Sequence, residues 1–163
     1  MQRTIRLLLA FCSVLGLGLV TGGVAQAAEA GEKVCYRAHI ANVGWTQGWK
    51  CDGGQAGYTG QNTPIEALEI QIWGLGTFCA DAHLRDFGDQ APQCASDGQV
   101  IRVGTTGEAR PMEQVSIRPS YLGLWGRAHV QNVGWEKPDS GSEIEIGEAG
   151  KALNLEAVEL WIQ

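Results

Sequence analysis

Apolar and polar residues alternate one by one along several stretches of the chain. Over Ile65–Trp73, Glu66, Leu68, Ile70 and Ile72 fall on one face, and Ala67, Glu69, Gln71 and Trp73 on the other. The end of the chain repeats the pattern, with Glu156, Val158, Leu160 and Ile162 set against Ala157, Glu159 and Trp161. Tyr36, Ala38 and Ile40 alternate in the same way with Arg37 and His39. A period of two predicts half-buried β-strands. No window past residue 28 supports a long amphipathic helix, and glycines punctuate the chain as turns between strands would require. The expected class is all-β.

The strands belong to a repeat. AHIANVGW at residues 38–45 returns as AHVQNVGW at 128–135, with a weaker AHLRDFGD at 82–89 between them. His39, His83 and His129 are each followed five residues later by a glycine, Gly44, Gly88 or Gly134. A G-x-x-G turn follows in each copy, at 57–60, 104–107 and 147–150, and a glutamate lies six residues past each turn: Glu66, Glu113 and Glu156. Three anchors in one order define units of roughly 45 residues, at 35–76, 77–122 and 123–163. Three such units with almost no linker are expected to close about a pseudo-threefold axis, as a β-prism or a β-trefoil, because closure removes exposed edge strands. Gln71-Ile72-Trp73 resembles the trefoil's Q-x-W, but Glu159-Leu160-Trp161 and the tryptophan-free middle copy do not sustain it.

The phrases YRAHIANVGW and GRAHVQNVGW, each followed by G-x-x-G and then IEALEIQI or LEAVELWI, resemble the ChW repeat, the clostridial hydrophobic repeat named for its Gly-Trp. The resemblance is strong in copies one and three and weak in copy two, which has Phe87-Gly88-Asp89 in place of Gly-Trp. It implies a secreted or cell-wall-associated protein of a Gram-positive bacterium, and it carries over no catalytic residues. Four cysteines in the repeats allow three pairings. Cys35 and Cys79 both stand four residues before the repeat histidine, and Cys51 and Cys94 twelve and eleven after it. Equivalent positions should form equivalent bonds, which pairs Cys35 with Cys51 and Cys79 with Cys94. Copy three has Trp125 and Gly141 at those places.

The first residues call for a separate reading. Arg3 and Arg6 precede an apolar run from Leu7 to about Val20, then Ala25, Gln26 and Ala27, which is the layout of a secretory signal peptide over 1–27. Residues 28–163 are then expected to form one mature β domain without membrane insertion. The whole chain carries 12 basic and 18 acidic side chains. Loss of Arg3 and Arg6 would leave ten against eighteen, a net charge of about −8. An acidic balance excludes nucleic acid and anionic membrane as expected partners. An even number of cysteines in an exported chain reads as disulfides.

Little in the chain resembles catalytic machinery. His39, His83 and His129 could meet on a threefold axis as metal ligands, but their spacing is no local ligand motif, so they are read as framework. Glu66, Glu113 and Glu156 share a face with aliphatic residues and must be hydrogen-bonded there, for instance by amides of the preceding G-x-x-G turn. No nucleophile elbow, P-loop or dinucleotide fingerprint occurs, and neither an enzyme nor a cofactor or metal is expected. The tryptophans all lie in copies one and three. Trp73 and Trp161 fall opposite the aliphatic face, which would expose them. Trp45 and Trp135 have two uses open, contact with a ligand and packing under a neighbouring repeat. Asn42 and Asn132 either donate to a ligand or cap the turn, with the turn favoured.

The resulting expectation is a non-catalytic binding module for a carbohydrate or cell-envelope polymer. Its ligand-binding residues would be Trp45, Trp135, Asn42, Asn132, Trp73 and Trp161. The alternative is a protein-interaction or protease-inhibitor domain presenting the longer loop at 95–103 of copy two. The partner is thus an extracellular glycan or protein, and the oligomeric state is left open.

Overall fold

The computed structural model describes residues 31–45 and 47–163; the expected signal peptide and Cys12 lie outside the described residues. Among the described residues there are strands and turns and no helix. Each copy is built on two long antiparallel strands: β1 (Lys33–Ile40) with β4 (Ile65–Trp73), β5 (Phe78–Leu84) with β9 (Met112–Pro119), and β10 (Leu124–Val130) with β14 (Leu155–Ile162). Short strands flank them. They are β2 (Lys50–Cys51) and β3 (Ala56–Gly57) in copy one, β6 (Gly88–Asp89), β7 (Gln93–Ala95) and β8 (Val100–Gly104) in copy two, and β11 (Gly134–Trp135), β12 (Asp139–Ser140) and β13 (Ile144–Gly147) in copy three.

The short strand that ends on the first glycine of each G-x-x-G turn leaves its own copy. β8 of copy two pairs with β4 of copy one, β3 of copy one with β14 of copy three, and β13 of copy three with β9 of copy two. The three sheets are therefore β2-β1-β4-β8, β11-β10-β14-β3 and β13-β9-β5-β6, and none closes into a barrel. Each sheet has a two-residue strand at one edge and a donated strand of two to five residues at the other, so the edge strands are short.

Gly57, Gly104 and Gly147 make this exchange possible. Each has positive φ, and a Cβ built on any of them would lie 2.2 Å from a glutamate carbonyl oxygen in the accepting sheet: Glu156, Glu66 and Glu113 respectively. Only glycine allows the backbones so close. The neighbouring amides then bond to the same carbonyls, Tyr58 to Glu156 and Thr105 to Glu66, both at 2.9 Å. A side chain from earlier in the same copy holds each glycine. Gln47 accepts from the Gly57 amide at 2.6 Å, Gln90 from Gly104 at 2.6 Å, and Glu136 from Gly147 at 2.9 Å.

The inner faces pack into one core that includes Tyr36, Ile40, Leu68, Ile70, Phe78, Leu84, Ile117, Leu124 and Leu160. One position shows how the copies share it. Tyr36, Ala80 and Gly126 are equivalent, and only the first carries a large side chain. Fully buried Tyr36 donates to the Gly54 carbonyl at 2.6 Å and accepts from the Leu160 amide at 2.8 Å, tying copy one to copy three. Burial pushes its hydroxyl well above the usual phenolic range. The disulfides are Cys35–Cys51 and Cys79–Cys94, each joining directly paired residues of adjacent strands. Loops of this size contribute about 3 kcal/mol each in the chain-entropy picture.

Two sequence expectations change here. The longer loop at 95–103 is not a free projection, since Val100–Gly104 is β8, docked on β4. The turn before it is tied down by Gln71 donating to the Gly98 carbonyl at 2.6 Å and by the Gly74 amide donating to Asp97 at 2.7 Å. The alternation in β4 is also interrupted. Ile40 pairs with Ile65 and His39 with Ala67, so Glu66 is the extra residue of a β-bulge. Glu113 and Glu156 occupy the same bulge in β9 and β14.

Two substitutions in one turn separate contact from conformation. Gly57→Ala should cost about 3 kcal/mol or more in urea unfolding, whereas Gly60→Ala, with open space around its Cβ, should cost about 1 kcal/mol. Glu136 replaces the glutamine of the other copies. Burial, helped by Glu148 nearby, raises its pKa despite the Gly147 bond. Its favourable contribution is therefore present below the ordinary carboxylate range and lost as pH rises through the raised value. Glu136→Gln should raise Tm at pH 7 and converge on the parent below about pH 4.

Candidate functional site

Each β1-type strand ends in a tight turn that presents the Asn/Asp-x-Gly residues of the repeat. Asn42, Asp86 and Asn132 adopt left-handed backbone (φ 63°, 60° and 63°), and Gly44, Gly88 and Gly134 follow with φ between 85° and 98°. The amides of Val43 and Gly44 close the first turn on the Ile40 carbonyl at 3.0 and 2.8 Å. Asparagine tolerates this conformation better than most residues, so the two asparagines shape the turn.

The turn brings each Gly-Trp back over the repeat histidine. Trp45 meets the His39 ring edge-on with centroids 5.2 Å apart, and Trp135 meets His129 at 5.5 Å. In the middle copy Asp89 replaces the indole and contacts His83 Nδ1 at 2.6 Å. On the other side of the bulge, His39 Nδ1 lies 3.1 Å from Glu66 Oε2 and His129 Nδ1 lies 3.0 Å from Glu156 Oε2. Neither contact is aligned as a hydrogen bond, so each is an electrostatic approach of ring to carboxylate. The three glutamates are 2–5 % exposed. Turn amides do bond two of them, but from another copy than the sequence suggested: Gly60 donates to Glu156 at 3.1 Å and Gly150 to Glu113 at 2.8 Å. Strand exchange is the reason. Each histidine stays with its own copy's glutamate, and among the described residues no three or more metal-ligating side chains gather.

The outer face of the first sheet carries a row of alternating rings and guanidinium groups. Arg37 lies 5.1 Å from the Trp49 ring and 5.0 Å from the Trp45 ring, and Arg102, on donated strand β8, lies 5.3 Å from Trp45. Glu69, between them on β4, receives Arg37 Nε at 2.5 Å and Arg102 Nε at 3.0 Å. Burial alone would raise its pKa, but hydrogen bonds and charge from the two arginines outweigh it and hold the carboxyl below its usual range. Copy three repeats part of this row. Arg127 lies 4.7 Å from Trp135 and donates to Glu159 at 2.8 Å. Trp49, which sequence reasoning did not single out, is the most open tryptophan at 40 % exposure.

Trp73 and Trp161 are half-buried rather than open. Lys33 lies 5.8 Å from the Trp73 ring, and a Cβ on Gly98 would meet its Nε1 at 2.9 Å, so the indole packs against that turn. Trp161 stacks on Trp125 with centroids 6.4 Å apart and planes 19° from parallel.

Such an arrangement defines a class, a disulfide-bonded all-β repeat module with aromatic and arginine side chains on its outer faces. Residues 39–74 and 129–163 each match the family ChW, described as Clostridial hydrophobic W, and the chain thus carries two ChW repeats. The stretch between them is not matched, in keeping with its loss of Gly-Trp. Comparison with curated proteins and with solved structures gives no match.

Glu69 supplies a pH test of the outer row. With a lowered pKa its contribution is present above the ordinary carboxylate range and lost as pH falls through the lowered value. Glu69→Gln should therefore be less stable than the parent at pH 7, and the difference should shrink as thermal unfolding is followed down toward about pH 3.

Proposed function

We propose that this chain is a secreted, non-catalytic binding module whose ligand is a carbohydrate or cell-envelope polymer. The observation that supports it most is the Trp49, Arg37, Trp45, Arg102 row, braced from beneath by Glu69. Ring faces suit the apolar C–H side of a sugar, while guanidinium and carboxylate groups fixed by one another offer directed hydrogen bonds at little cost in side-chain entropy. Copy three contributes a shorter version at Trp135, Arg127 and Glu159. The turn asparagines, Asn42 and Asn132, flank the two Gly-Trp segments.

The ChW repeats and the disulfides support an extracellular or cell-wall-associated setting in a Gram-positive bacterium. The cyclic exchange of β3, β8 and β13 supports a prism reading, with three sheets about a pseudo-threefold axis. Ligand rows would then stand on two of the three outer faces, as in a bivalent binder.

Sedimentation with insoluble glycans and peptidoglycan tests the assignment. At least one polymer should retain the protein, with Trp45→Ala and Trp49→Ala each weakening retention about tenfold and Trp135→Ala reducing apparent avidity. No retention by any polymer, or variants retained as well as the parent, would contradict it.

A further inference from the structure

The middle copy fills the space beside its glutamate with a side chain of its own. Arg85, in the turn after His83, places Nε 3.2 Å from Glu113 Oε1 and donates through Nη2 to the Ala152 carbonyl of copy three. Its guanidinium thus lies between a carboxylate that is 2 % exposed and the carbonyl of a residue with left-handed backbone (φ 55°).

Copy one has this frame without the guanidinium. Ala41 stands where copy two has Arg85, Glu66 where it has Glu113, and Ala109 (φ 52°) where it has Ala152. His39, Asn42, Glu66, Gly107 and Ala109 line a cleft of about 410 Å³. The Glu66 side chain is 6 % exposed and lines this cleft, with His39 Nδ1 3.1 Å from its Oε2. A carboxylate so largely withdrawn from solvent gains from a charged hydrogen-bond donor. The nearby cation Arg110 does not answer it, being held 3.2 Å from Glu108 and 4.5 Å from the Phe87 ring. In copy three Gln131 takes the place of Arg85 and turns its amide to Asn62, while Glu156 already has the Gly60 amide.

We propose that the copy-one cleft is a binding site for a guanidinium group, received by the Glu66 carboxylate and the Ala109 carbonyl as the middle copy receives its own Arg85. The ligand would be a small guanidinium compound or the arginine side chain of a partner peptide. The cleft adjoins the tryptophan row, since His39 lines it and meets Trp45, but its receiving groups, Glu66 and Ala109, are not those of the row.

An amide-resolved NMR titration of the protein with methylguanidinium, arginine amide and the peptide Gly-Arg-Gly tests it, with tetramethylammonium as the ionic control. Guanidinium probes should give saturable shifts at the Gly44, Gly107 and Ala109 amides, and the control none. Tighter binding of the peptide than of methylguanidinium assigns the source to a partner side chain, and equal binding to a small molecule; both support the site. Glu66→Gln should weaken binding roughly tenfold or more. Ala41→Arg, which reproduces the middle copy while leaving Glu66 intact, should abolish it with the dispersion of a folded spectrum retained. Absence of saturable shifts at those amides, or Ala41→Arg binding as the parent does, overturns the proposal.

Discussion

The contact on which the rest of the structure depends is a backbone-to-backbone one, between the first glycine of each G-x-x-G turn and a glutamate carbonyl in another copy. It occurs three times, at Gly57 on Glu156, Gly104 on Glu66 and Gly147 on Glu113. Each copy gives one strand and takes one, so no copy completes its sheet alone. The same contact sits at the bulge that turns the glutamate toward its histidine, so that framework and site are fixed by one junction.

Within that common frame the copies have diverged in what they place at equivalent points. Tyr36 fills the centre, and Gly126 leaves room, since a Cβ there would lie 2.7 Å from Leu160 Cδ2. Copies one and two staple their opening strands with disulfides, whereas copy three stacks Trp125 on Trp161 at the place of the first cysteine. Tryptophan meets the histidine in copies one and three, and aspartate does so in copy two. Arginine fills the cleft of copy two, and alanine leaves it open in copy one.

The sequence made the strand alternation, the Gly-Trp repeats of copies one and three and the cysteine register legible because each depends on local spacing. It did not disclose the exchange of strands, which pairs residues roughly 30 positions apart in two of the sheets and about 100 apart in the third and has no local period. Nor did alternation disclose the bulge. A trace of it is present, since Ile65, Met112 and Leu155 are apolar directly before the glutamate and so break the two-residue pattern. For a related reason parity assigns Trp73 and Trp161 to the outer face but does not disclose the Lys33, Gly98 and Trp125 neighbours that partly cover them there.

If the exchanged strands lock the three copies into one cooperative unit, the amides at the junctions should open only when the whole domain does. Native-state hydrogen exchange at Tyr58 and Thr105, whose N–H groups bond to Glu156 and Glu66, measures this directly. The account predicts that both exchange with the free energy and denaturant dependence of global unfolding, alongside the amides of β4 and β14. Exchange of either through a separate, lower-energy opening of its own copy would contradict it.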